Sequence, residues 1–298
     1  MRIFVTGATG FIGMSLVSEL AAAGHQVLGL CRSAEKAAAL SAAGAEVHRG
    51  SLEDPDSLQK GAARSDGIIH LAFNHDFSKF KANCEDDRRV IRALGSALAG
   101  SKRPLIVTSG TLMVGSGPGQ PAREDGAHVS SDLVPRAASE EAADSVASEG
   151  VNVSVVRLPQ VHDTVKQGLI TWVIAIAREK GSCAYVGDGH QRWPAAHVSD
   201  VARLYRLAIE KPEPGARYHA VAEEGVSLRA MSETIGGRLR LPVRSIRPEE
   251  AEAHFGWLAP FAALDAPASG AQTRKKLGWR PTGPGMIADL ERLQVADA

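Results

Sequence analysis

The feature that most constrains this chain is the join between its first apolar run and the glycines that follow. Arg2, Ile3, Phe4 and Val5 lead directly into Thr6-Gly7-Ala8-Thr9-Gly10-Phe11-Ile12-Gly13. A helical pattern begins at once, with Ile12, Leu16, Leu20 and Ala23 on one face. A strand, a glycine-rich turn and a helix in that order make an anion cradle. Gly7 permits the tight turn, Gly10 lets a pyrophosphate approach the backbone, and Gly13 lets the helix pack closely on the sheet. The free N–H groups and the positive end of the helix dipole then face the phosphates. The glycines carry this meaning because a strand precedes them and a helix follows.

The next strand-like run, residues 26–32, ends at Arg32-Ser33, with Lys36 a turn later and no carboxylate before Glu35. An acidic side chain there would bond the ribose hydroxyls of NAD, whereas arginine accommodates the extra phosphate of NADP. The residues therefore favour NADP(H) over NAD(H). Downstream, helical patterns over 36–43, 54–63, 84–99 and 136–148 alternate with short apolar runs over 46–50, 67–73, 104–110 and 152–158. This alternation predicts an α/β fold, a Rossmann-type parallel sheet with helices on both faces.

Lys+Arg and Asp+Glu both number 34, so the net charge is zero and nothing marks a nucleic-acid surface. The 3 cysteines (Cys31, Cys84, Cys183) are widely spaced and lack metal-ligand spacing, which favours reduced thiols over a disulfide framework. No basic segment with a following apolar run opens the chain, and the longest apolar run, 169–177, is too short for a bilayer. The expectation is a soluble cytoplasmic protein with a small-molecule substrate and neither a nucleic-acid nor a membrane partner.

Further motifs appear in order: His70-Leu71-Ala72, Val107-Thr108-Ser109, Arg157-Leu158-Pro159, Gly187-Asp188-Gly189, His197-Val198-Ser199-Asp200 and Lys276-Leu277-Gly278-Trp279-Arg280-Pro281. With the glycine turn, they make the chain resemble the extended short-chain dehydrogenase/reductases, the epimerase/dehydratase group, over nearly its whole length. The resemblance implies that Gly7, Gly10, Phe11 and Ile12 hold the pyrophosphate, and Arg32 and Ser33 the ribose phosphate. It places Ser51 and Leu52 beside the adenine, Leu71, Ala72 and Phe73 along the nicotinamide ribose, and Pro159 on the nicotinamide side. That group usually has Asp where Ser51 stands. It also implies a homodimer through the helices over 84–99 and 136–148.

The pattern breaks at the chemistry. The group uses a Tyr-x-x-x-Lys pair on the helix after the fifth strand. Counting back from Arg157 puts Arg136 at the tyrosine position and Glu140 at the lysine position. Arginine is no proton donor near neutral pH, and a glutamate would raise rather than lower a neighbouring phenol's pKa. The chain thus resembles an atypical member, and a helix-surface pair at i,i+4 is the plain alternative for Arg136 and Glu140. Candidates for orienting or protonating a substrate are Ser109, Thr111 and His75, with His162 at another strand end. Tyr185, Arg192 and Trp193 fall in the segment that meets substrate, and Trp257 adds aromatic bulk.

The domain expectation is a cofactor domain over 1–162, to which 198–222 returns, and a smaller, mostly helical substrate domain from 163–197 and 223–298. Function is expected to be NADP(H)-dependent hydride transfer to or from a small organic carbonyl, alcohol or activated alkene. The alternatives are a nucleotide-sugar epimerase or dehydratase, and a protein that senses NADP(H) without chemistry.

Overall fold

The computed structural model describes residues 1–294. Strands β1 (Arg2–Thr6), β2 (Gln26–Cys31), β3 (Ala45–Arg49), β4 (Gly67–His70), β5 (Leu105–Gly110) and β6 (Val153–Leu158) alternate with helices α1 (Phe11–Ala22), α2 (Ala34–Ala42), α3 (Pro55–Ala63), α4 (Phe80–Ser96) and α5 (Ala138–Ser148). After β7 (Gln160–His162), α6 (Ile170–Lys180), β8 (Cys183–Val186), β9 (Arg192–His197) and α7 (Val198–Glu210), strand β10 (Arg217–His219) closes one edge of the main sheet. All pairings in this sheet are parallel, in the order β10-β6-β5-β4-β1-β2-β3.

Both faces of the sheet are covered, which is why its strands read as continuous apolar runs. Along β1, Ile3 and Val5 join the core under α1 and α7, while Phe4 joins Leu28, Ile91, Leu94 and Val146 on the opposite face. The turns obey local chemistry. Asp54 caps α3 by accepting from the N–H groups of Asp56 and Ser57, ahead of Pro55 at the first helical position. Ser33 caps α2 by accepting from the Lys36 N–H. Trp279 is 1% exposed beneath α7 and donates its indole N–H to the Asp200 carbonyl, so the Lys276–Pro281 motif seals the core.

The remaining elements are β11 (Glu223–Ser227), α8 (Leu228–Leu239), β12 (Val243–Ile246), α9 (Ala251–Phe255), α10 (Ala259–Ala262), α11 (Ala271–Leu277) and α12 (Met286–Glu291). Helices α6, α8, α9, α10 and α12 share an apolar core with Trp193, Val226 and Ile246. Two small sheets, β11-β9-β7 and β12-β8, accompany these helices. Their strands are short and carry Arg, Pro, Gly and Glu, which hid them in the sequence. Helix α4 starts at Phe80, a turn earlier than its apolar pattern suggests, behind a short 3₁₀ turn capped by Asp76. No helix among the described residues is long and apolar enough to cross a membrane.

Candidate active site

The sheet order reverses between β1 and β4, and the loops at the carboxyl ends of these strands frame a crevice where α/β folds bind ligands. Gly7 has φ +69°, and a Cβ there would lie 2.7 Å from the Ala72 nitrogen. A Cβ on Gly13 would press into the Gly7 carbonyl and come within 2.8 Å of Ala8 backbone carbon. Gly10 is exposed at the start of α1, where its Cβ would meet nothing closer than the Gly7 oxygen at 3.2 Å. Two glycines thus let loop and helix close up, and the third keeps the mouth of the cradle open. This is the space a pyrophosphate requires, so the residues fit a dinucleotide.

Around the cradle, Phe11 and Ile12 are half-buried in the first turn of α1, and Leu71, Ala72 and Phe73 are half-buried after β4. Pro159 is half-buried between β6 and β7. Arg32 is exposed at the end of β2, and no hydrogen bond or ion pair to another described residue engages its guanidinium. The Ser33 hydroxyl caps α2. Ser51 and Leu52 lie beyond β3, where Ser51 makes a long 3.4 Å hydrogen bond to Glu53.

Behind the crevice runs a buried polar chain. Thr6 Oγ1 lies 2.7 Å from His70 Nδ1, and His70 Nε2 lies 2.9 Å from Asp87 Oδ1. Thr6 also accepts from the Ala72 N–H at 3.3 Å, which ties the glycine turn to the β4 loop. Asp87 Oδ2 accepts from Arg136 Nη1 at 3.1 Å and from the Ser139 hydroxyl. Arg136 Nη2 donates to the Thr108 carbonyl at 3.1 Å, and the guanidinium carbon sits 4.3 Å from the centre of the Phe73 ring. Burial pushes the Asp87 carboxyl up, but Arg136 beside it, with His70 and Ser139, holds it below the usual range.

The plain alternative, a surface pair between Arg136 and Glu140, is not what the structure holds. Glu140 is fully buried and binds Arg157, itself 1% exposed, through Oε1–Nε at 2.7 Å and Oε2–Nη2 at 2.8 Å. Desolvation raises the Glu140 carboxyl, yet the hydrogen bonds and charge of Arg157 outweigh it and lower the pKa. The two side chains part because Arg136 lies in the 3₁₀ turn before α5 and reaches the crevice, whereas Glu140 faces the sheet.

Of the acid–base candidates, Ser109 donates its hydroxyl to Glu140 Oε1 at 2.9 Å, and Thr111 makes only a 3.4 Å contact to the Leu158 carbonyl. His75 stands on the exposed rim with its ring edge-on to Phe73. Packing around it, then the charge of Arg136, lower its pKa from 6.5. His162 is fully buried against Asp289 at 2.6 Å, away from that rim. The structure does not gather Tyr185, Arg192 and Trp193 beside His75. Tyr185 lies on β8 under the Arg229 guanidinium, and Trp193 is 3% exposed with its indole N–H on the Leu264 carbonyl. Arg192 grips Asp265 in a two-pronged pair, at 3.0 Å from Nε and 2.8 Å from Nη2. Its remaining bond goes to the Gly119 carbonyl, so it is not a free phosphate ligand.

Aromatic side chains extend from the crevice towards the helices of the second apolar core. Phe73 meets Phe80, Phe80 meets Phe77, and Phe77 stacks on Trp257 at 5.1 Å. Trp257 meets Trp172 at 5.9 Å, and both indoles are 46% exposed, which makes this an apolar wall open to solvent. The remaining tyrosines offer no phenol here. Tyr205 is fully buried with its hydroxyl 2.7 Å from Thr108 Oγ1, and burial raises its pKa well above the usual range. Burial pushes Tyr218 up to about 12.

Sequence reasoning missed Asp87, and it named His70, Arg157, Phe73 and Trp257 without the buried pairs or the aromatic contacts they make. A signal for Asp87 was present: it shares the helical stripe of Cys84, Ile91 and Leu94, where an unpaired carboxylate would be costly.

Comparison with known proteins identifies the family and the fold. The profile of the NAD dependent epimerase/dehydratase family matches residues 3–222. An uncharacterized protein of Schizosaccharomyces pombe is 46% identical, covering 97% of this chain and 98% of that protein. A 4-hydroxy-2-methyl-3-oxo-4-farnesyl-3,4-dihydroquinoline-1-oxide ketoreductase of Stigmatella aurantiaca is 27% identical, over 90% of this chain and 84% of that one. Among solved structures, a dTDP-glucose 4,6-dehydratase from Streptomyces venezuelae with NAD and TYD bound shares the fold, with TM-score 0.79 at 19% identity and 98% and 95% coverage. The glycine cradle, the strand order and the family profile agree: this chain belongs to the NAD dependent epimerase/dehydratase family.

Proposed function

We propose that the protein is an NADP(H)-dependent oxidoreductase acting on a small, largely apolar organic carbonyl, the matching alcohol or an activated alkene. The observation that carries the cofactor choice is Arg32, an exposed cation at the end of β2 with no partner among the described residues and no carboxylate beside it. When bound, the nicotinamide would supply or accept the hydride. Gly7, Gly10, Phe11 and Ile12 would hold its pyrophosphate, and Arg32 the ribose phosphate. Leu71, Ala72, Phe73 and Pro159 would wall the reacting end and exclude water.

The aromatic wall from Phe73 to Trp172 supports an apolar substrate, as does similarity to a ketoreductase of a farnesylated quinoline. The Arg192–Asp265 pair weighs against a nucleotide sugar, whose phosphates would have to break it. Burial, then the charge of Arg136, disfavour the imidazolium form of His75, so this side chain is poorly fitted to donate a proton to substrate.

The test is Arg32→Ala. Taking the guanidinium away from the ribose phosphate, which only NADPH carries, should weaken NADPH at least about tenfold and NADH less than about twofold. Equal weakening of both would sink the NADP assignment. A sensor that binds NADP(H) without turnover is the second reading, favoured by the lack of an accessible phenol beside Arg136, since Tyr205 is fully buried on Thr108. Transfer of hydride to any added carbonyl would exclude it.

A further inference from the structure

The Arg136 guanidinium is fixed on three sides. Asp87 and Ser139 take Nη1, the Thr108 carbonyl takes Nη2, and Phe73 covers one face. Guanidinium has five N–H donors. The N–H of Nε and one on Nη2 have no partner among the described residues, and Nε is not sealed inside the protein. The side chain is 16% exposed, so the guanidinium edge that carries Nε meets accessible space. That space lies at the β4–β5 end of the crevice, across the glycine turn from Arg32 at β2. A dinucleotide held by Arg32 and Gly10 would have its reacting end walled by Leu71, Ala72 and Phe73, and the Arg136 guanidinium lies over the Phe73 ring.

We infer that Arg136 binds the substrate oxygen that gains negative charge during reduction, with Asp87 as its positioning residue. The inference rests on the oxidoreductase reading. When a carbonyl carbon accepts hydride, the C=O π pair moves onto oxygen. The two unpaired N–H groups of Arg136 hold that alkoxide until it takes a proton from solvent water, giving the alcohol and hydroxide. A fixed cation that need not reorganise suits this task and replaces a phenol that the site lacks. The Asp87–His70–Thr6 chain links the same guanidinium to the glycine turn, so cofactor loop and oxygen site are held in one frame.

The probe is 2-naphthoate, a flat apolar carboxylate whose oxygens stand in for the alkoxide and whose rings suit the aromatic wall. Its affinity is measured by calorimetry with and without NADP⁺, alongside NADPH affinity. Arg136→Met alone would strand the buried Asp87 charge, so the variant is Arg136→Met with Asp87→Asn, which keeps net charge and the acceptor for His70. Thermal melting confirms that it folds. In the double variant 2-naphthoate should weaken at least about tenfold, while NADPH changes less than about twofold. Unchanged naphthoate affinity, no naphthoate binding by the native protein, or parallel loss of NADPH would each overturn the assignment. If the native protein binds naphthoate through Arg136 but binds no NADPH, the oxidoreductase reading fails and the oxygen site stands.

Discussion

Replacing Glu140 by Ala separates a structural role for this residue from a catalytic one. Its carboxylate accepts two hydrogen bonds from Arg157 and one from Ser109, in a site with no solvent access. Removing it leaves the Arg157 guanidinium buried, with the Glu124 and Gly126 carbonyls, at 3.2 and 3.3 Å, as neutral partners. Breaking a buried pair from one side costs about 3–5 kcal/mol, and these carbonyls keep the loss near the lower end. For a chain of this size that lowers Tm by about 5 °C. Glu140→Gln keeps the shape and an acceptor, so its loss should be smaller, about 2 kcal/mol. Urea melts give the stability change, and NADPH titration well below the transition gives the function. The expected outcome is a much lower midpoint with NADPH affinity within about twofold of native. A variant with an unchanged midpoint that no longer binds NADPH would refute the reasoning, because Glu140 would then act at the crevice.

Gly13→Ala should abolish NADPH binding and destabilise the fold, since the new methyl meets the Gly7 and Ala8 backbone rather than a movable side chain; native-like calorimetry would contradict the cradle geometry. Acidification should weaken the fold before the carboxylates titrate. Burial lowers His219 from 6.5 to about 4, so between those values the unfolded chain binds a proton that the folded chain refuses. Stability is therefore full above pH 6.5 and falls towards pH 4. Tm measured across this window should drop, and His219→Asn should flatten the drop; an identical slope in the variant would exclude His219 as its source. Asp87 and Glu140, both lowered in the fold, add a second loss as pH falls through the acid range, which Glu140→Gln should reduce.

The main sheet was legible because a parallel sheet buried on both faces leaves apolar runs too dense to mistake, as in Leu105–Gly110 and Val153–Leu158. The glycine turn was legible because backbone clearance leaves no other residue type at Gly7 and Gly13. The polar interior was not. Arg136 and Glu140 are four residues apart, which on a regular helix makes a surface pair, but a 3₁₀ turn lies beneath Arg136 and each finds a partner distant in sequence. Arg192 looked free because Asp265, its partner, lies 73 residues on. The aromatic wall joins Phe77 to Trp257, residues far apart in sequence, a contact that no local periodicity records.

The most direct measurement of the central claim uses NADPH carrying deuterium at both C4 positions of the nicotinamide, incubated with a panel of aryl ketones and enones. Mass spectrometry of the products should find one deuterium at the reduced carbon for at least one apolar substrate. NADH should serve poorly, and Arg32→Ala should remove that preference. Tight NADPH binding with no deuterium delivered would make the protein a sensor, and failure to bind NADPH at all would contradict the account.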